Sequence, residues 1–405
     1  MQKIVKFVMF VWKAVVGAML CQAWPTSILA TGWTYRAMQR RALRVWEKHS
    51  PIAASNRAAL AQSDPLFLAH ESWPNWFIQQ RGLRRVGRSG APLGLWARMR
   101  RTIGLAGSSL GENLRLGLLG IFNTSVVMIL PAGLWQIGWY TGWDNSFNKG
   151  YEQYYVGIAL SWTGVMLFLA VMLFLPMAQA RQAATGEWRA FYHFRTLWTI
   201  VRNAPVRSIL LAAAYSLASL PIAISLAFPF FIEQAIPQSA NFTASEMVDF
   251  LYRYYFRLAI YGFIAYVFVR WIAAGWYART IVELLHTGRL KSDALAGAER
   301  HALRVLQLDH EGEASRLHPA IAVPLAVSRP VWRAAVLASA VVVWFTFVAQ
   351  IYVREFIVYH PYQGFLNQPL VQLPWFRYIP SALTQSARAE AREAENRPIS
   401  EDSGH

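Results

Sequence analysis

Five long apolar segments constrain the fold of this chain more than any other feature. They lie at about residues 116–139, 155–178, 209–232, 258–277 and 334–353. Each approaches or exceeds the roughly 20 apolar residues that a helix needs to cross the hydrocarbon core of a bilayer. None alternates like a barrel strand, so helices are the way to pair their backbone groups in lipid. The sequence therefore predicts an all-α, polytopic integral membrane helical bundle with five firm transmembrane helices, spanning residues 113–353.

Composition excludes the other classes of protein that a chain of this length suggests. The 405 residues are 55% hydrophobic and only 15% charged, whereas soluble domains carry about 25% charged residues. The chain is too apolar for intrinsic disorder. Its single cysteine, Cys21, excludes a framework of intramolecular disulfides.

Residues 1–34 form an N-terminal membrane segment whose path the sequence leaves open. The apolar part contains Lys13 near its start and Pro25 inside it. Basic residues intrude where a signal peptide needs an uninterrupted apolar region, and no clear cleavage site follows, so we predict that the segment is retained. It is either a sixth helix kinked at Pro25 or a re-entrant hairpin.

The distribution of basic residues predicts the orientation. Segments 35–112, 181–207 and 279–333 together hold 26 Lys and Arg residues. The alternating segments 140–154, 233–257 and 354–405 hold eight. Lys and Arg accumulate in cytoplasmic loops, so the first set is predicted to be cytoplasmic and the C-terminus external. The predicted location is a bacterial inner membrane.

The cytoplasmic segments contain basic amphipathic stretches. Residues 34–48 and 189–202 are predicted to be helices that lie on anionic lipid. Residues 81–101 are rich in Gly and Arg and are predicted to be a solvated flexible loop. The arginines that are candidates for lipid headgroup contact are Arg36, Arg40, Arg41, Arg44, Arg84, Arg85, Arg88, Arg100 and Arg101. Because these segments lie at the membrane surface by necessity, lipid is favoured over nucleic acid as their partner.

The region after the last apolar segment divides in two. Residues 354–385 are rich in Pro and aromatic residues and are predicted to lie along the outer membrane surface or on the external loops. Residues 386–405 are polar and charged, with no means of burying a core, and are predicted to be disordered.

Two basic residues within apolar stretches are candidates for function, because charge in hydrocarbon is costly. They are Arg270 and Lys13. Arg270 lies nine residues before Arg279, so it is about 13 Å deeper along a helix. No apolar segment carries an acid to pair with it, and side-chain amides such as Asn123 and Gln136 are alternative partners. We predict that Arg270 faces the interior of the bundle, although snorkelling to the interface is the alternative.

The search for catalytic and metal-binding motifs is negative. The chain has no HExxH or CxxC pattern and no GxGxxG opening a helix. His301, His310 and His318 share one cytoplasmic segment, but their spacing does not place them on one helical face as metal ligands. We therefore predict no enzymatic activity, no metal and no cofactor.

The predicted function is to anchor or assemble partners at the membrane. Those partners would be lipids and other membrane proteins, or further copies of this chain. The first alternative is a small-solute transporter or channel subunit that uses Arg270. The second is a membrane-bound enzyme without a recognisable motif.

Overall fold

The computed structural model describes residues 2–52, 94–139, 154–228, 232–309, 370–375 and 379–395, with a few isolated positions between them. Over these residues the chain forms helices and no strand. The longer helices are α1 (Gln2–Leu20), α2 (Trp24–His49), α3 (Leu95–Trp139), α4 (Tyr154–Thr185), α5 (Phe194–Asn203), α6 (Pro205–Ala227), α8 (Ala244–His286), α9 (Gly297–Val305) and α10 (Ser381–Glu395), and α7 is the short helix Ile232–Ala235.

Four of the described helices are long and apolar enough to cross a membrane, namely Leu95–Gly138, Tyr155–Thr185, Pro205–Ile222 and Ala244–His286. Each contains most of one apolar segment predicted from sequence. The prediction of an all-α helical membrane bundle is confirmed. The fifth predicted span, 334–353, falls almost entirely outside the described residues.

Two of these helices are much longer than the predicted spans. Helix α3 has 45 residues, or about 67 Å, against a hydrocarbon core of about 30 Å. Its start at Leu95 shows that the loop predicted for 81–101 was wrong for residues 95–101, which are helical. Helix α8 begins at Ala244 because Thr243 and Glu246 form a reciprocal capping box. We call its two ends the Ala244 end and the His286 end of the bundle.

Helices α1 and α2 are separate helices, and both pack against α8. A turn at residues 21–23 separates them, and Gly17 and Trp33 both lie against the ring of Phe263. Pro25 lies in the first turn of α2. A backbone N–H at this position has no partner within the helix, so its absence in proline costs no intrahelical hydrogen bond. The described chain is thus broken into two helices before Pro25, and the path of this segment relative to the membrane stays a prediction.

Helix α2 packs inside the bundle, between α3, α4 and α8. A Cβ atom at Gly32 would lie 1.7 Å from the backbone oxygen of Asn113 in α3, so only glycine permits this close approach. The apolar face predicted for residues 34–48 does exist, but Tyr35, Met38 and Trp46 on it are buried in the protein core. The prediction that this stretch lies on lipid was wrong, because an apolar helix face packs equally well against other helices.

The C-terminal segment enters the bundle. Leu370 is completely buried, and Gln372 is 4% exposed, although residues 354–385 were predicted to lie along the outer membrane surface or on the external loops. Helix α10 then packs along α8, and the Glu390 carboxylate accepts hydrogen bonds from the N–H groups of Ala244 and Ser245 at 3.1 and 3.0 Å. Residues 386–395 are therefore helical where the sequence predicted disorder, since Glu390 caps the start of α8. Residues 396–405 lie outside the described chain.

Candidate functional site

Arg270 projects from the middle of α8 into the bundle, and its side chain is completely buried. Its two terminal nitrogens donate to consecutive backbone carbonyls: Nη1 to Leu370 at 2.6 Å and Nη2 to Val371 at 2.8 Å. Its partners are thus carbonyl groups of the C-terminal segment. The Asn123 side-chain amide, which the sequence suggested as a partner of Arg270, instead donates to the Trp188 carbonyl and accepts from the Tyr192 hydroxyl.

Two further side chains hold the same segment. The amide of Gln179 in α4 donates to the Val371 carbonyl at 3.0 Å, and the hydroxyl of Tyr266 donates to the Gln372 carbonyl at 2.9 Å. Three successive carbonyls of residues 370–372 are therefore bonded by α4 and α8. We call Arg270, Gln179 and Tyr266 the carbonyl clamp.

The backbone at Leu370 has a φ of +62°, which places a residue with a branched side chain in the left-handed region. Such a conformation costs roughly 1–2 kcal/mol for a residue other than glycine. Successive carbonyls of an extended strand point to opposite sides, so this local turn lets two neighbouring carbonyls reach one guanidinium. The clamp, and not the intrinsic preference of the segment, stabilises this geometry.

Aromatic rings surround the Arg270 guanidinium. Its central carbon lies 3.5 Å from the centroid of Tyr266 and 5.5 Å from that of Tyr215, distances at which a cation is attracted to the ring face. The Tyr215 hydroxyl also donates to the side-chain oxygen of Gln179 at 3.4 Å. This bond orients the Gln179 amide so that its nitrogen faces Val371.

The clamp carries a positive charge without a carboxylate partner among the described residues. Arg270 bonds two neutral carbonyls there, and its Nε is buried without a hydrogen-bond acceptor. A buried charge is costly unless it is paired. Carbonyl dipoles and ring faces supply only part of the compensation that an anion would give.

A cleft opens where the C-terminal segment reaches the Ala244 end. It has a volume of about 300 Å³, and its lining includes Trp24, Tyr252, Trp375 and Arg377. The Arg377 guanidinium carbon lies 3.9 Å from the centroid of Tyr252. Tyr252 and Arg270 are about 27 Å apart along α8. Residues 370 and 377 are seven positions apart and can span up to about 25 Å, so the segment itself runs from the cleft to the clamp.

A second buried arginine lies toward the His286 end. Arg181 in α4 and Glu299 in α9 are both completely buried and form an ion pair at 3.2 Å. The Tyr277 hydroxyl and the Ala296 N–H also donate to this carboxylate. Burial raises the pKa of Glu299 above its ordinary value, while Arg181 and the Ala296 N–H act in the opposite direction.

The predicted headgroup arginines lie in different environments. Arg36 is buried and donates to Ser109 and Asn113 of α3. The guanidinium of Arg41 covers the Trp271 ring at 3.8 Å. Arg40 is half-buried, whereas three of the described candidates are exposed: Arg44, Arg100 and Arg101. Arg84, Arg85 and Arg88 lie outside the described residues.

The remaining candidates give no chemical centre. Lys13 is half-buried in α1 and His301 is exposed in α9, while His310 and His318 lie outside the described residues. In the part of the chain that the structure describes, no three His, Cys, Asp or Glu side chains group as metal ligands.

Sequence reasoning found Arg270 but missed most of the clamp. Gln179 lies at the end of one apolar segment and Tyr266 lies inside another, and polar residues are ordinary at such positions. Residues 370–372 contribute only backbone oxygens. No side-chain pattern marks a backbone carbonyl that accepts a hydrogen bond. The Arg181–Glu299 pair joins residues 118 positions apart, which no local spacing reveals.

No protein-family model, curated protein or solved structure matches this chain. The fold and the clamp therefore define its class, a helical membrane protein, by themselves.

Proposed function

We propose that this chain is a multi-pass protein of a bacterial inner membrane that anchors or assembles other proteins there. The observation that carries this proposal is the occupation of the bundle interior by residues 370–372. Arg270, the charged residue deepest in an apolar segment, contacts the protein's own backbone, so its terminal nitrogens do not face a solute in this conformation.

The N-terminal part of α3 supplies a surface for such partners. Leu95, Trp96 and Ile103 are 82%, 78% and 61% exposed. Together with Met99 they recur at helical spacing, while Arg98 and Arg101 lie on the other side of the helix. An exposed apolar face beside arginines is suited to a partner protein or to the membrane interface.

The proposed orientation places the His286 end in the cytoplasm and α10 outside. The basic residues of α2 and of the start of α3 support it. Because Cys21 is the chain's single cysteine, a Cys21→Ala background allows a direct test. An impermeant maleimide should label Ser386→Cys on α10 from the outside and Lys291→Cys only after permeabilisation. The reverse pattern would invert the topology.

Photo-crosslinking tests the assembly role. A crosslinking amino acid at Trp96 or Ile103 should give one reproducible adduct in native membranes, and the same substitution at exposed Arg388 on α10 serves as control. Trp96→Arg should then release that partner from the membrane fraction. An adduct of twice the chain's mass would identify a second copy as the partner. Absence of any protein adduct at the α3 positions would contradict the proposal.

One observation favours a small-solute transporter or channel subunit as a second candidate. The Arg270 charge has no carboxylate partner among the described residues, and its Nε lacks an acceptor. Solute-dependent thermal stabilisation in detergent that is lost in Arg270→Leu would support this role over assembly.

A further inference from the structure

Arg270 binds two oxygens through its two terminal nitrogens, which are also the donors that a guanidinium offers to a carboxylate. Nη1 and Nη2 donate to the Leu370 and Val371 oxygens at 2.6 and 2.8 Å. A guanidinium uses the same parallel pair of donors for bidentate binding of a carboxylate. Neutral peptide oxygens thus occupy donors from which a carboxylate could accept.

Charge favours an anion over the present occupant. Arg270 is completely buried, and a carboxylate compensates a buried guanidinium more fully than two carbonyl dipoles do. The adjacent donors of Gln179 and Tyr266 now bond Val371 and Gln372. They would face the same ligand if the segment left.

The occupant is also held under strain and lies on a route to the surface. Leu370 has the left-handed φ of +62°, a conformation that its branched side chain disfavours. Residues 373–377 lead to the open cleft that Trp375 and Arg377 line. Withdrawal of residues 370–372 toward this cleft would therefore open a path from the surface to Arg270.

From these observations we propose that Arg270, Gln179 and Tyr266 form a binding site for a carboxylate ligand, and that residues 370–372 are a removable plug in that site. This inference goes beyond the assembly role, which needs no ligand inside the bundle. It predicts competition between the plug and a carboxylate for the same guanidinium.

A cysteine in the plug reports this competition. Val371→Cys in the Cys21→Ala background keeps the backbone carbonyl and places a thiol where the native side chain is 5% exposed. Its reaction rate with maleimide in detergent is measured in sodium acetate, in sodium chloride of equal ionic strength and in acetamide. We expect saturable acceleration of roughly tenfold by acetate alone. Equal rates in acetate and chloride would overturn the proposal.

A second buried position provides the control for general loosening. Ala302→Cys in the same Cys21→Ala background places a thiol in α9, where the native side chain is 1% exposed, so its labelling should not respond to acetate. If acetate accelerates the labelling of Ala302→Cys as much as that of Val371→Cys, the effect is unfolding and the proposal fails. In Arg270→Gln, labelling of Val371→Cys should no longer depend on acetate, whatever its basal rate. Retained acetate dependence would place the site elsewhere.

A milder variant tests the plug without changing the site. Leu370→Ile keeps the side-chain volume but adds β-branching, which further disfavours a positive φ. Half-maximal labelling should then need several-fold less acetate. Leu251→Ile makes the same change in helical α8, in the same buried cluster, and should leave the acetate requirement unchanged. An equal shift in both variants would contradict the plug.

Discussion

Arg181 and Arg270 are both completely buried, yet different groups compensate their two charges. Arg181 pairs with the carboxylate of Glu299, which α9 and the Tyr277 hydroxyl hold in place. Arg270 has carbonyl oxygens and aromatic rings around it instead. The first pair joins regular helices, whereas the second joins a helix to a turn. This difference indicates that the Arg181–Glu299 ion pair is a permanent structural contact, whereas the contact of Arg270 with the turn is exchangeable.

The largest effect on stability is expected from breaking the Arg181–Glu299 ion pair. Glu299→Ala leaves the buried Arg181 guanidinium without its anion and should lower the free energy of unfolding by about 3–5 kcal/mol. Thermal unfolding in detergent, followed by the reactivity of buried Cys21, measures the loss. Glu283→Ala breaks the exposed pair with Arg207 and should cost less than about 1 kcal/mol. Similar losses in the two variants would show that Glu299 stabilises the fold no more than the exposed Glu283 does.

A smaller loss of stability is expected at the clamp. Arg270→Leu removes the charge and two hydrogen bonds, but the freed carbonyls belong to a turn that can leave and be hydrated, so we expect a cost of about 1–3 kcal/mol. The reactivity of Val371→Cys should rise sharply in the same protein. Arg253→Leu, at an exposed position of α8, is the control. A loss as large as that of Glu299→Ala, with the thiol still protected, would make both arginines structural.

Removing one hydrogen bond of the clamp should have a weaker effect. Tyr266→Phe deletes the donor to the Gln372 carbonyl but keeps the ring over Arg270, and should cost about 1 kcal/mol. The reactivity of Val371→Cys, measured beside that of Tyr261→Phe, is the sensitive readout. The Tyr261 hydroxyl bonds the Ala218 carbonyl on an exposed face, so its loss should not change the reactivity. Equal reactivity in both variants would remove Tyr266 from the clamp.

The smallest effect is expected at the far end of the C-terminal segment. Glu390→Gln weakens the cap on α8 and should cost about 0.5 kcal/mol. Limited proteolysis of α10 should accelerate, while the reactivity of Val371→Cys stays unchanged because the plug has its own contacts. Glu393→Gln, exposed on the same helix, is the matched control. Exposure of Val371→Cys in Glu390→Gln would show that α10 and the plug leave together.

The sequence predicted elements better than their ends and partners. The apolar segments located α3, α4, α6 and α8 correctly, because hydropathy summed over some 20 residues is a strong signal. Hydropathy did not predict that α3 starts at Leu95. The glycines in that part of the helix face open space, and such glycines are also typical of a loop. Helix α10 was missed because its stability depends on Glu390 meeting the first turn of α8.

Hydropathy and charge by themselves determined the class of this protein: a helical membrane bundle with one costly arginine deep in an apolar helix. Only the tertiary structure decided what that arginine contacts. An apolar face, as on α2, can meet lipid or protein equally well, and a backbone carbonyl, as at Leu370, has the same chemistry in every residue. The choice of partner therefore depends on which helices approach one another, and no local pattern of residues contains that information.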